Sequence, residues 1–566
     1  MQSQETVNPV ADKPPEDQVL YPHGWRLCFI TIGLLISLYL VNLEVTIVST
    51  SLLSITSDLD GFNKTSWIVT GFLVTYTGWI SLPWLPDLSG PAKLRTGFMS
   101  IWTRVSDIIG RKKVLIAALV TFVAFSLGCG LSRSVNTLIV CRSFQGVGGA
   151  GVYTLTILCA YEIVPKSKLP IWGGMIGMAI ACASLTGPLI GGVLALNSSW
   201  RWVFYVNLPP GAVAVTMLFM AMPAGFGSVA PKPITHLRPT LSLFRALDVM
   251  GSVLLLSGSF LLVAVLNETN LEFEWASGTA IGLLVVSGLS WMAFFIWEWL
   301  IDGRPGYQPI FPRRFIFNRA WMGMLITVFV SGCPWNVVIV YLSQRFQVLG
   351  GSSPLGAGVR LIPYSALATL STSIACIACL RGRIPFVYFI LFGSLLHVVG
   401  MALFITLPQT NSFPSAGYGY EVLAGTGVGT TIGICILAVP YVVERRDLAT
   451  ATGALNQCRF LGGAIGLAIA SNIQYGNLKH DLADTLSPDQ LRRLLEDASI
   501  VKTFPAQVQA VIQRVFAKSY THQYQAMIAF AAVQIPASLL IFRRGAQYVA
   551  TEEEPTDSDR GSEITA

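Results

Sequence analysis

Charged residues set inside the long apolar runs of this 566-residue chain are the first candidates for chemistry, and three carry most of the argument. A charge at the centre of a membrane helix costs about 2.5–3.5 kcal/mol to insert, so such residues are paired, hydrated or functional. Glu44 sits deep in the first run. Arg142 sits in the fourth, in R-S-F-Q-G-V-G-G-A-G, with Gln145 one helical turn on and Gly146, Gly148, Gly149 and Gly151 permitting close helix approach. Arg459 sits in the thirteenth, in N-Q-C-R-F-L-G-G-A-I-G, two residues after Gln457. Two chemistries fit. Glu44 either exchanges a proton as water or a cation reaches it, or serves with an arginine as a buried pair that only holds helices together. The first is the default for an intramembrane acid. Both readings stay open for the arginines, and Gln145, Gln457 and Arg459 are the candidate substrate-path residues.

A second constellation is mechanical. In W-T-R-V-S-D-I-I-G-R-K-K, Trp102 to Lys113, Asp107 and Arg111 are four apart at a tight turn that also holds Gly110 and Lys112. There a carboxylate and a guanidinium can latch neighbouring helix ends and release them. A third stretch is G-P-L-I-G-G, with Gly187, Pro188, Gly191 and Gly192. The proline removes a backbone donor and the glycines let helices touch, so the segment can bend.

The elements that must position these residues are membrane helices. The chain is 53% hydrophobic and 12% charged, about half the charge of an average soluble domain, and its mean hydropathy is +0.61. A spanning helix needs about 20 mainly apolar residues. Fourteen such runs are present, thirteen of them clean. The second, from Trp67, is broken by TGWISLPWLPDLSGPAKLRTGFMSIW. The expected fold is an all-α integral membrane protein with about 14 transmembrane helices. No catalytic constellation, phosphate-binding loop or metal-ligand cluster is present in the sequence, so neither an enzyme nor an ATP-driven pump is expected.

The net charge of +7 is distributed for orientation. Every second loop is basic, as in Arg111–Lys113, Arg313 and Arg314, Arg445 and Arg446, and Arg543 and Arg544, which puts both termini in the cytoplasm. Three N-x-[ST] glycosylation acceptors, Asn63, Asn197 and Asn267, then fall in outer loops, with chance occurrence favoured at the last two because those loops are short. Residues 1–24 are polar and Pro-rich and form no secretory signal, so the first helix is its own targeting signal. All ten cysteines lie in or beside apolar runs and offer no disulfide framework; the C-x-x-C of Cys376 and Cys379 reads as small packing residues.

The expected layout is a disordered cytoplasmic terminus (1–24), a six-helix bundle (25–222, with 79–97 an anomalous insertion) and a cytoplasmic linker (223–245). Two additional helices (246–300), a second six-helix bundle (301–545) and a disordered acidic cytoplasmic tail (546–566) follow. The second bundle has one long outer loop, 474–522, with two helical patterns: one capped by Ser487 and Pro488, the other built on Val508, Val511, Ile512, Val515 and Phe516. Both are expected on the outer membrane surface. His480 and His522 in this loop read as solvated surface residues.

These motifs reach a family. Trp102–Lys113 resembles the loop signature of the major facilitator superfamily, with Asp107, Gly110, Arg111 and Lys112 on the pattern and Thr103 where the first glycine usually stands. G-P-L-I-G-G resembles the fifth-helix antiporter signature of the proton-coupled drug-efflux branch. Together with L-E-V-T-I-V-S-T-S-L, W-R-W-V-F-Y-V-N-L-P-P-G and the fourteen runs, residues 25–545 are similar to the fourteen-helix drug:proton antiporters, most of all fungal toxin and drug exporters. The resemblance implies two six-helix bundles plus two extra helices, and alternating access in which an inward proton drives an outward amphiphile. It makes Glu44 the proton-linked acid and Arg142 its partner, with proton and substrate competing for one electrostatic site. It further implies no cofactor beyond the proton gradient, a hydrophobic small-molecule substrate (secondary metabolite, toxin or antifungal drug), the lipid bilayer but no nucleic acid as partner, and a monomer. The location implied is the cell membrane, with the vacuolar membrane as the other location. A siderophore-type proton-coupled transporter and a non-transporting sensor or defective copy are the alternative functions.

In such relatives the second helix runs straight from T-Y-T-G through a few apolar residues into the loop signature. Here T-Y-T-G ends at Gly78, and a second Thr-Gly pair, Thr96 and Gly97, precedes F-M-S-I and Trp102. Removing Trp79–Gly97 restores an uninterrupted helix. Kept, the segment places Pro83, Pro86 and Pro91 with Asp87, Lys93 and Arg95 at membrane depth, where irregular lipid-exposed backbone is not tolerated. It therefore reads as the in-frame translation of a retained intron.

Overall fold

The computed structural model describes residues 24–59, 68, 71–72, 102–103, 105–106, 109–164, 168–197, 199–223, 248–269, 273–302, 304, 309–379, 384–409, 413–444, 447–496, 500–501 and 504–542. The 79–97 segment, Asp107, Asn63, most of the linker and both tails lie outside these residues. Among the described residues every regular element is a helix, apart from one isolated bridge between Thr269 and Phe273.

The long helices are α1 (Trp25–Asp58), α2 (Arg111–Gly130), α3 (Val135–Ile163), α4 (Leu169–Asn197) and α5 (Leu208–Ala221, preceded by the single turn Trp202–Tyr205). They continue as α6 (Val249–Glu268), α7 (Gly278–Ile301), α8 (Arg319–Val337), α9 (Ile362–Cys379), α10 (Phe386–Ile405), α11 (Ser415–Val442), α12 (Leu448–Asp481) and α13 (Ala506–Leu540). Ten helical stretches among the described residues are long and apolar enough to cross a membrane. The expected spans on α6, α12 and α13 are helical but fall outside those ten: the apolar stretch counted on α6, Val253–Glu268, is short, and polar turns lower the hydropathy of α12 and α13.

Side-chain caps set several starts. Ser134, Ser277 and Asn318 accept from the backbone N–H three residues on, at 3.2, 3.1 and 3.3 Å, satisfying donors that a helix leaves open at its first turn. In α8, Pro334 removes an N–H donor, and the helix loosens into a π-turn at Val338–Leu342 before resuming as Ser343–Val348.

One group of helices joins α1 to α4, α3 and α5, and α2 to α3 and α5; a second joins α8 to α12 and α13, and α10 to α11 and α13, with α9 on α11. The two groups meet along α4 and α9, and again where α3 touches α12. Gly148 makes the α2–α3 approach possible, since a Cβ there would lie 2.5 Å from the Phe122 nitrogen. The pair α6–α7 docks on α12 through α6. The far side of α7 exposes Val285, Leu289, Met292 and Ile296, a face suited to hydrocarbon.

Two expectations change here. The second helical pattern of loop 474–522 is not a separate surface helix: Ala506–Leu540 is one continuous rod, because the polar residues around Thr521–Gln525 interrupt hydropathy without breaking helix propensity. Its apolar stripe faces the protein, with Ile512 and Phe516 buried in the same hydrophobic core as Leu478, Leu482 and Leu494, and both α13 and Pro488–Glu496 pack on α12. Ser487 and Gln490 exchange side-chain-to-backbone bonds at 3.3 and 3.0 Å, a capping box that starts the short helix. The second change is Asn267. It lies in the last turns of α6, buried, with its amide donating to the Val263 carbonyl at 3.0 Å, so its side chain is not presented for glycosylation. Asn197 is the last residue of α4.

Candidate transport site

α1 carries Glu44, fully buried, to the centre of a four-element polar network. Arg142 from α3 donates from Nη1 to Glu44 Oε1 at 2.5 Å and to Gln145 Oε1 at 3.0 Å, and from Nε to the Ile68 carbonyl at 3.3 Å. Its guanidinium lies over the Phe72 ring at 4.5 Å. The second Glu44 oxygen accepts from Asn207 Nδ2 at 2.6 Å, and Ser126 of α2 accepts from Gln145 Nε2 at 2.6 Å and from Asn207 at 3.4 Å.

Asn207 was not singled out from sequence, yet the local residues explain it. It is the N-cap of α5, where its side chain would ordinarily accept from the second or third helical N–H. Those positions are Pro209 and Pro210, which have none, and no cap bond forms. The amide is left to donate to Glu44. N-L-P-P was therefore the available signal.

The latch segment is also partly in view. Gly110, at φ +103°, caps α2 in a conformation that favours glycine. Arg111, 2% exposed, pairs with Glu162 near the end of α3 at 2.9 Å and donates to Ser106 Oγ at 2.6 Å. Lys112 donates to the Met222 carbonyl at 2.6 Å, tying α2 to the end of α5. Glu162 is a second residue the sequence reading missed; it looked like the boundary of an apolar run.

In the G-P-L-I-G-G segment of α4, a methyl group on Gly187 would overlap the Thr46 hydroxyl of α1, and Ser51 of α1 donates to the Gly191 carbonyl at 3.1 Å. Gly192 faces the other group, where a Cβ would lie 2.9 Å from Leu355 Cα. Pro188 sits within α4 between these contacts. The motif thus places α4 against the helix bearing Glu44 on one side and against the second group on the other. Further along, Ser373 of α9 donates to the Gly174 carbonyl at 2.9 Å, Tyr161 donates to the Ile436 carbonyl at 2.6 Å, and Cys376 packs so that a Cβ on Gly173 would lie 3.1 Å from its sulfur.

Between the groups is a cavity, open on one part of its wall. Asn42 and Thr46 of α1, Trp172 of α4, Trp335 of α8, and Arg459 and Phe460 of α12 are among its lining. It is the shape of a small-molecule site, largely apolar with a few polar groups. Of the candidate substrate-path residues, Arg459 lines it. Gln457 is buried and off the wall, because residues two apart point to nearly opposite sides of a helix, and Gln145 belongs to the Glu44 network. Another missed residue is Glu421 of α11, fully buried, with neither carboxyl oxygen hydrogen-bonded among the described residues. Its position one residue after Tyr420 made it look like a helix end, whereas α11 starts at Ser415. His480 and His522 bond to Asp481 and Asn477, and among the described residues no group of three His, Cys, Asp or Glu could hold a metal ion.

Residues 27–467 match the profile of the Major Facilitator Superfamily. The chain belongs to that superfamily. Among the relatives of this major facilitator protein is the MFS-type transporter FPY5 of Fusarium mangiferae, 34% identical over 528 residues that span 93% of this chain and 85% of that protein. The efflux pump DEP3 of Fusarium langsethiae is 28% identical across 88% of this chain and 84% of its own length. The fold matches a bacterial homologue of the human lysosomal transporter Spinster, in an inward-facing unoccupied conformation, with TM-score 0.54 and 14% identity over 92% of this chain and 98% of that one. This is a multi-pass membrane transporter, and its relatives are transporters, several of them named efflux pumps, rather than enzymes.

Proposed function

We propose that the protein is a proton-coupled antiporter that exports hydrophobic or amphiphilic small molecules, such as a secondary metabolite, toxin or antifungal drug, by alternating access. The observation that carries this reading is the position of the Glu44–Arg142 pair. It is buried behind the same turn of α1 whose Asn42 and Thr46 line the cavity. Protonating Glu44 removes the charge that Arg142 and Asn207 hold. α1 can then shift against α4 at Gly187 and Gly191, and α4 transmits that shift to α9. Proton and substrate are coupled through one helix without sharing an atom. Arg111, with Glu162 and Asp107, acts as the latch at the other end of α2.

The rest of the reading follows the family pattern: fourteen spans with the layout above, termini in the cytoplasm, a monomer in the cell membrane driven by the proton gradient, and Asn63 as the remaining candidate for a glycan. The efflux names of the relatives support export over siderophore uptake. In proteoliposomes with an imposed pH gradient, Glu44→Gln should abolish proton-driven efflux while the protein stays folded and inserted. Normal pH-driven efflux by that variant would overturn the proposal, and a wild-type protein that moves nothing would favour the sensor reading.

A further inference from the structure

Arg142 and Arg459 are held in opposite ways. Arg142 is sealed onto Glu44. Arg459 stands at the cavity wall, partly exposed, and has neither a carboxylate partner nor a side-chain hydrogen bond among the described residues. What holds it is aromatic: its guanidinium lies 4.3 Å from the Phe460 ring centroid and 5.1 Å from that of Tyr153, which comes from α3 in the other helix group. Those rings are themselves edge-to-face at 5.5 Å. No acidic residue is in the cavity lining, and Arg459 is its single charge among the described residues.

A guanidinium has five N–H donors in a planar fork, matched to a carboxylate or a similar delocalised anion. Ring faces stabilise its charge but satisfy none of those donors in the plane. A cation kept unpaired at membrane depth is costly unless something from the cavity completes it. We propose that this cavity selects amphiphiles bearing an acidic group, bound as the conjugate base on Arg459, with the flat apolar part of the molecule lying toward Trp172 and Trp335. This deepens the exporter reading and rests on its assignment of the cavity as the substrate site.

The test uses three matched fluorescent probes on the purified full-length chain: pyrenebutanoate, pyrenebutanol and a pyrenebutyl trimethylammonium salt, followed by quenching of tryptophan emission. The expected order in the wild type is carboxylate about tenfold tighter than alcohol, the scale of a charge-assisted hydrogen bond, with the ammonium weakest. Arg459→Gln should bring the carboxylate to the affinity of the alcohol, leaving the alcohol within about twofold, and Arg459→Lys should keep part of the preference. Equal affinities for the three probes in the wild type, or an unchanged preference in Arg459→Gln, would overturn the proposal while leaving the cavity as a substrate site. Binding of none of the probes by the wild type would remove the cavity assignment and the proposal with it. If Arg459→Gln does not fold, the wild-type order alone decides.

Discussion

A buried ion pair is a poor source of net stability but an expensive thing to break. Arg142→Gln leaves the Glu44 charge facing Asn207 alone, and the expected cost is about 3–5 kcal/mol of folding stability. The double variant Glu44→Gln with Arg142→Gln should recover most of that loss, because two neutral amides can bond to each other. Thermal unfolding of the four proteins in detergent measures it, and a double variant no more stable than Arg142→Gln alone would contradict the pairing. At this scale the sequence was legible wherever a formal charge interrupted an apolar run, which exposed Glu44, Arg142 and Arg459. Their arrangement was not. Nothing local says that Arg142 reaches across 98 positions to Glu44 while Arg459 finds only rings; the first pairing came from a family likeness and the second only from coordinates. Asn207 and Ser126 were hidden because neutral polar residues are common in membrane helices and carry no insertion penalty large enough to stand out.

The proposed latch belongs to the scale of elements, since it joins helix ends. Arg111 is fixed by Glu162 from α3, and Lys112 by the last carbonyl beyond α5, so α2 is moored to two neighbours at one end. Glu162→Gln and Arg111→Ala should each slow transport by about tenfold, about 1.4 kcal/mol in the conformational step, while probe binding stays near wild type. Lost binding with an unchanged transport rate would place these residues in the site instead. Helix existence was readable from hydropathy because the bilayer demands length and apolarity together. Helix extent was not. Residues 506–523 look like a peripheral amphipathic helix when the membrane is imagined as the only apolar surface available, but the protein offers its own in Leu478, Leu482 and Leu494.

At the scale of the whole molecule the sequence raises the question of the 79–97 segment. α1, α2, α3 and the start of α5 pack around Glu44, and Ile68 and Phe72 of the second run contact Arg142 directly. Ile68 and Phe72 before the segment and Trp102 after it, whose indole donates to the Val147 carbonyl at 2.8 Å, both pack on α3, and three prolines and three charges between them are hard to reconcile with a single apolar span by sequence. The mature transcript should therefore lack the codons for Trp79 to Gly97. A message that retains them, translated into protein that transports, would make the segment a true insertion. The seam between α4 and α9 has a different consequence. Cys376 is 1% exposed there, closed over by Gly173 of the opposing helix, whereas Cys28 and Cys182 are exposed in the same state. Cys376 also borders the cavity, so a thiol-reactive reagent that reaches it there should react slowly in this packed state and faster whenever the two helices part. Its alkylation rate, set against that of the two open thiols, is then a native clock for how often the molecule changes face, and it needs no engineered label.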